Sequence, residues 1–206
     1  MSAVHHADGT GTEVVVATLA QHLHQWEAFV LNAVEGLRWG PLTVFFVLAS
    51  AWWVKGPLFV AIGAVADVRA GRRFPFASAF ACVSALTAGA LSMLLKQWFD
   101  RTRPPNSGIG VEPVVATPTD PSFPSGHTVT AFAAATVVAS FHPRLRWLVF
   151  ALAAVVGFSR MYLGVHYWLD VMAGAAVGIT VGFALAWTAK RARALWRLRA
   201  FTRARA

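Results

Sequence analysis

The sequence predicts an all-α integral membrane protein: a bundle of about five transmembrane helices with an amphipathic interfacial helix on its N-terminal side. Three observations predict it. Of 206 residues, 57% are hydrophobic and 13% charged, with a mean hydropathy of +0.55, whereas soluble domains are about one-quarter charged. The apolar residues come in runs that approach the thickness of a bilayer. The basic residues cluster between or after those runs, at Arg69, Arg72 and Arg73, at Arg144 and Arg146, and at seven positions after 189, together 12 of the 18 Lys and Arg. This is the positive-inside pattern, and it accounts for the formal charge of +9 without a nucleic-acid partner. Cys82 is the only cysteine and lies in an apolar run. It forms no intrachain disulfide and reads as a small buried hydrophobe.

Residues 1–13 are small and polar, a disordered tail with no secretory pattern. Over 14–40, Leu19, Leu23, Trp26, Val30, Val34 and Leu37 recur at helical spacing, interrupted by Gln21, His22, Gln25, Glu27 and Asn32. That is too polar to span and fits a helix lying at the membrane surface. The membrane domain covers 41–189. Its first crossing is expected to start near Trp52, with 41–51 packed at the interface, because a lysine at mid-bilayer is costly. Lys55 is read as snorkelling to the headgroups, with a contact to an anionic headgroup as the sharper alternative. Apolar runs follow at 74–95, 128–141, 147–158 and 171–189, and a basic tail fills 190–206.

Counting crossings back from that tail gives a multi-pass protein of the cell inner (plasma) membrane. Its C-terminus and the turns 69–73 and 142–146 are cytoplasmic, and the loop 97–126 is outside. The basic residues left outside are Arg38, Lys55, Lys96, Arg101, Arg103 and Arg160. A charge rule kept everywhere except around one set marks that set as retained for chemistry.

Three polar stretches share this outer depth. In the third, His166 and Asp170 are four residues apart, one helical turn on one face. A carboxylate beside an imidazole holds one tautomer and raises the basicity of the far nitrogen, and Arg160 adds a planar fork suited to phosphate. Taken alone, this pair reads equally well as a structural His–Asp contact inside a bundle. In the second, Pro124, Ser125, Gly126 and His127 precede a helix. Ser125 stands at the N-cap, Gly126 lets backbone approach a ligand, and the amides at the helix start attract anions. His127 is the second histidine that protonation of a leaving group requires. In the first, Lys96 and Arg103 add cations that surround phosphoryl oxygens, while Arg101 and Asp100 read as a solvated local pair. Asp100, Glu112 and Asp120 are scattered, and His22 and His24 share no helical face, so no metal is expected.

The pattern Lys-x6-Arg-Pro, Pro-Ser-Gly-His, Ser-Arg-x5-His-x3-Asp resembles the type 2 phosphatidic acid phosphatase (PAP2) family of membrane lipid phosphatases. Lys96, Arg103 and Pro104 carry the first motif, Pro124 to His127 the second, and Ser159, Arg160, His166 and Asp170 the third, complete and in order. The resemblance implies an enzyme without metal or cofactor. In it His166 attacks phosphorus to form a phosphohistidine, Asp170 orients His166 and His127 protonates the leaving oxygen. Lys96, Arg103, Ser125, Gly126 and Arg160 bind the phosphate. It also implies a lipid phosphate substrate, such as undecaprenyl diphosphate, phosphatidic acid or phosphatidylglycerol phosphate, entering sideways from the bilayer. The chain departs from six-span members in having room only for the surface helix ahead of the bundle. Two other readings compete: a phosphotransferase that passes the phosphoryl group to a lipid or sugar, and a non-catalytic transporter or scaffold. Intact His127, His166 and Asp170 speak against the last.

Overall fold

The structure, a computed structural model, describes residues 9–72 and 74–203. Among them the regular elements are all helical: α1 (Gly9–Glu35), α2 (Gly40–Ala49), α3 (Trp52–Lys55), α4 (Pro57–Arg69), α5 (Phe76–Phe99), α6 (Gly126–Phe141), α7 (Arg146–Tyr162) and α8 (Trp168–Arg203). Short 3₁₀ turns lie at Pro104–Asn106 and Pro143–Leu145. Three stretches are long and apolar enough to cross a membrane: Phe76–Asn106, Pro143–Tyr162 and Trp168–Ala192. The other two expected crossings are shorter. α6 has 16 residues, about 24 Å at 1.5 Å per residue. A helix does begin at Trp52, where the first crossing was expected, but Gly56 and Pro57 divide it into α3 and α4, and neither is among the described helices long and apolar enough to span.

The short α6 is the centre of the bundle, touching α3, α4, α5, α7 and α8. Its buried face is mostly alanine, threonine and valine, which lets neighbouring backbones come close. α8 answers with Gly174, Gly178 and Gly182, one per turn. A Cβ at these positions would collide with the carbonyl oxygens of Ser125, Val129 and Ala133. Close backbone approach of this kind is what packs helices in lipid, where burying apolar surface gains nothing over facing the acyl chains.

The stripe on α1 is divided: Leu19, Leu23, Trp26 and Leu37 are exposed, while Glu27, Leu31 and Val34 are buried. One expectation is corrected: Cys82 is exposed rather than buried. An apolar side chain facing lipid costs nothing, so burial follows polar partners and small-residue packing instead. α1 also starts at Gly9, so residues 9–13 are helical rather than a disordered tail, and 1–8 lie outside the described residues. α2 packs on α7, with the Phe46 and Tyr162 rings 4.4 Å apart. α8 carries the basic tail on as helix to Arg203, and 204–206 lie outside the described residues.

At the end of the bundle where α6 stops, Asp67 is 1% exposed. It accepts the Ala77 N–H at 2.7 Å and Arg72 at 3.1 Å, and pairs with His142 Nε2 at 2.9 Å. It thereby satisfies a free N–H at the start of α5. Arg72 also donates to the Phe141 carbonyl at 3.1 Å.

Candidate active site

The three polar stretches meet at the other end of the bundle. His166 does not share a helix with Asp170 as their spacing suggests. α7 ends at Tyr162, and Gly164 turns the chain at φ +75°, a conformation that favours glycine. His166 lies in this connection, and Asp170 reaches back from the first turn of α8. The His166 Nδ1 to Asp170 Oδ2 distance is 3.3 Å, with both side chains buried. The Tyr167 N–H donates to the same oxygen at 2.9 Å, which fixes the carboxylate beneath the ring.

Arg103 settles the tautomer. Its Nη1 lies 3.1 Å from His166 Nε2 and donates to the Val165 carbonyl at 2.8 Å. Arginine can only donate, so Nε2 is the acceptor, and Nδ1 carries the proton toward Asp170. The imidazole lone pair therefore points at Arg103. Burial pushes the ring's pKa down to about 4, against the hydrogen bond and charge of Asp170, which raise it. The ring is thus neutral at ordinary pH.

Nε2 faces a cavity of about 290 Å³ whose lining includes Lys55, Lys96, Arg103, Gly126, His127 and Arg160. Lys96 donates to the Pro121 carbonyl and lies 3.0 Å from Asp120 Oδ2. Arg160 bonds the Ser50 hydroxyl, and its buried Nε has no partner among the described residues. Ser125 stands at the N-cap of α6 but does not line the cavity. Its hydroxyl accepts from Thr128 at 3.0 Å, and its N–H donates to the Asp170 carbonyl at 3.0 Å. The structure thus places seven of the eight residues singled out from the sequence in the cavity or directly beneath His166, and Ser125 behind them.

Four further residues were not picked out for this role by sequence. Arg101 is not a solvated partner of Asp100. It lies 2.7 Å from Asp170 Oδ1, pairs with buried Glu27 of α1, and stands 4.1 Å over the Tyr167 ring. Asp100 instead closes α5 at φ +40°. Asp120 bridges Lys96 and Arg103, 2.9 Å from Arg103 Nη2, so a carboxylate stands across the two cations a phosphate would use. Burial opposes its ionisation, yet the hydrogen bond and charge of Lys96, followed by Arg103, outweigh this and hold it below the ordinary carboxylate range. Ser92, one turn before Lys96, lines the cavity with a buried hydroxyl that has no partner among the described residues; its spacing from Lys96 was the available signal. Lys55 does not snorkel away. It lines the cavity and also an apolar groove of about 810 Å³ between α3–α4 and α5, bordered by Trp52, Val60, Leu86 and Met93. Cavity and groove share Lys55, Gly89, Met93 and Thr130.

Comparison with known proteins bears on the fold and the family. The chain is 38% identical over 123 residues to decaprenylphosphoryl-5-phosphoribose phosphatase of Mycobacterium tuberculosis, covering 59% of this chain and 64% of that protein. It is 34% identical over 104 residues to phosphatidylglycerophosphatase B of Bacillus subtilis, covering 45% and 48%. The chain thus spans about half to two-thirds of the length of these relatives. The crystal structure of a transmembrane PAP2 type phosphatidylglycerolphosphate phosphatase from Bacillus subtilis superposes with a TM-score of 0.69 at 26% identity, covering 82% of this chain and 87% of that one. Aquifex aeolicus LpxE shares the fold, with a TM-score of 0.60 at 24% identity over 76% and 92% of the two chains. The PAP2 superfamily pattern matches residues 77–194, more than half of the sequence, and the chain belongs to that superfamily.

Proposed function

We propose that the protein is a metal-independent lipid phosphatase of the inner membrane that removes a terminal phosphate on the extracytoplasmic face. One observation carries this reading: the His166 Nε2 lone pair, backed by Asp170, faces a cation-lined cavity that opens into an apolar groove. The groove suits an acyl or prenyl chain arriving sideways from the bilayer, and the cavity suits its phosphate. Nε2 attacks phosphorus, forming an N–P bond as the ester P–O bond breaks. The leaving oxygen takes the bonding pair and a proton from His127. Water then attacks phosphorus in the phosphohistidine and gives a proton back to His127; the N–P bond breaks with its pair returning to Nε2, and inorganic phosphate leaves. Lys96, Arg103 and Arg160 hold the charge on the equatorial oxygens through both steps. Four cations at the cavity wall make it hostile to a metal ion, which supports chemistry without one. The names of relatives supply the candidates: decaprenylphosphoryl-5-phosphoribose and phosphatidylglycerophosphate, and, from an undecaprenyl-diphosphatase of Bacillus subtilis, undecaprenyl diphosphate.

The test is phosphate release in detergent with EDTA present, from undecaprenyl diphosphate, phosphatidic acid and phosphatidylglycerol phosphate. Release by the wild type that is absent in His166→Ala is expected. Activity that EDTA removes and Mg²⁺ restores would refute the metal-free step. Label incorporation into a hydroxyl acceptor at the expense of free phosphate would favour the phosphotransferase.

A further inference from the structure

The cations around His166 outnumber what one phosphate can neutralise. Among the described residues lining the cavity, Lys55, Lys96, Arg103 and Arg160 face one carboxylate, Asp120. Lys96 and Arg103 share that carboxylate. Lys55 has no ion pair or hydrogen bond among the described residues, and Arg160 bonds only the neutral Ser50 hydroxyl. Three positive charges are left unbalanced in a half-enclosed cavity. Such charge is expensive unless a ligand answers it. A monophosphate brings at most about two negative charges; a diphosphate adds those of a second phosphate.

Position agrees with charge. Lys96, Arg103 and Arg160 surround the place in front of Nε2, where the attacked phosphorus must lie. Lys55 stands at the junction of cavity and groove, on the route from that phosphorus to the lipid chain. It is held there because the segment before it is tied to the site through Ser50 and Arg160, and because Gly56 lies against Thr130 of α6.

We propose that Lys55 binds the second, lipid-proximal phosphate of a lipid diphosphate, so that the preferred substrate is a diphosphate rather than a monophosphate. The proposal rests on the phosphatase reading above. His166 bonds to the terminal phosphorus, and the bridging O–P bond breaks. The bridging oxygen keeps the electron pair and becomes an oxygen of the released lipid monophosphate. Negative charge grows on that group as the bond breaks, so a cation beside it favours the transition state over the ground state.

The experiment compares kcat/KM for a prenyl diphosphate and the monophosphate of the same chain, in wild type, Lys55→Met and Lys55→Arg. The wild type is expected to prefer the diphosphate at least tenfold. Lys55→Met should reduce that preference at least tenfold, and Lys55→Arg should restore most of it. Equal losses on both lipids, or an unchanged preference, would overturn the subsite. A measurement on the wild type alone avoids reliance on a folded variant: calorimetric binding of inorganic pyrophosphate and phosphate. Pyrophosphate should bind at least tenfold more tightly, and equal affinities would overturn the proposal. Because binding needs no turnover, it separates the two ideas. Tight pyrophosphate binding without hydrolysis of either lipid would refute the phosphatase reading and leave the subsite standing.

Discussion

His166 with Asp170, and His142 with Asp67, are two histidine–aspartate pairs at opposite ends of the same bundle. Both carboxylates are almost fully buried, and the pair distances are 3.3 and 2.9 Å. Each aspartate also receives an arginine and a backbone N–H. The groove beside His142 is, if anything, larger, at about 850 Å³. What differs is what lies beyond the ring. His142 spends its Nε2 on Asp67, its groove is lined mainly by apolar residues such as Ile62, Val65 and Leu148, and the arginines there, Arg69 and Arg144, are exposed. His166 gives Nδ1 to its aspartate and turns Nε2 to Arg103, at the wall of a cavity where buried cations exceed carboxylates. Exposed cations are screened by water and salt, whereas buried ones with no acid to neutralise them are not. A His–Asp pair becomes a candidate site for an anion when its far nitrogen meets positive charge that the surrounding acids do not neutralise.

The largest effect that tests this contrast is loss of the proposed nucleophile. His166→Ala should lower kcat by at least about 10³-fold, whereas His142→Ala should keep its turnover and lose about 1–2 kcal/mol of stability. Phosphate release and thermal unfolding of both variants decide it, and equal loss of turnover would break the comparison. Next comes the arginine behind each aspartate. Arg101→Gln should cost about tenfold to a hundredfold in kcat with little change in KM, the range for groups that orient a reacting ligand. Arg72→Gln should change unfolding but not kcat. A smaller effect, of opposite sign, is expected at Asp120. Asp120→Asn frees Lys96 and Arg103 for an incoming anion, so inorganic phosphate should inhibit at concentrations about 3–10-fold lower, as expected for removing one like-charge competitor near the surface. Unchanged inhibition would mean that the carboxylate does not stand in the phosphate's place. The last is a shift along the pH axis. Only the neutral His166 ring has a free lone pair, and its pKa is held near 4. The acid limb that it contributes to kcat/KM should therefore fall near pH 4 rather than at the ordinary histidine value near 6.5. A limb at 6.5 would show that the ring is solvated.

Much was legible in the sequence because it rests on local rules. Apolar run length and the placement of lysine and arginine gave the helical membrane class. The spacing of Lys96 and Arg103, the turn at Ser125 and Gly126, and His166 before Asp170 marked one group of polar residues within an apolar chain. The site's outer layer was less legible. Arg101 and Glu27 are 74 positions apart, and nothing in either neighbourhood tells a solvated charge from a buried one. Asp120 looked like one of several scattered loop acids until the fold brought it onto Lys96 and Arg103. Lys55 read as a snorkelling lysine because, in sequence, its surroundings are lipid-like.

The sequence by itself determined the helical membrane class and the residues of the three motifs, since hydropathy, charge placement and short-range spacing are properties of the chain alone. Only the tertiary structure decided which of two His–Asp pairs meets a cation-lined cavity, which cations are left without an acid, and which way α1 turns Glu27. Those are questions of partner and distance between helices far apart in sequence. In lipid they are decided by close backbone packing, such as the glycines of α8 against α6, and by where buried charges find one another.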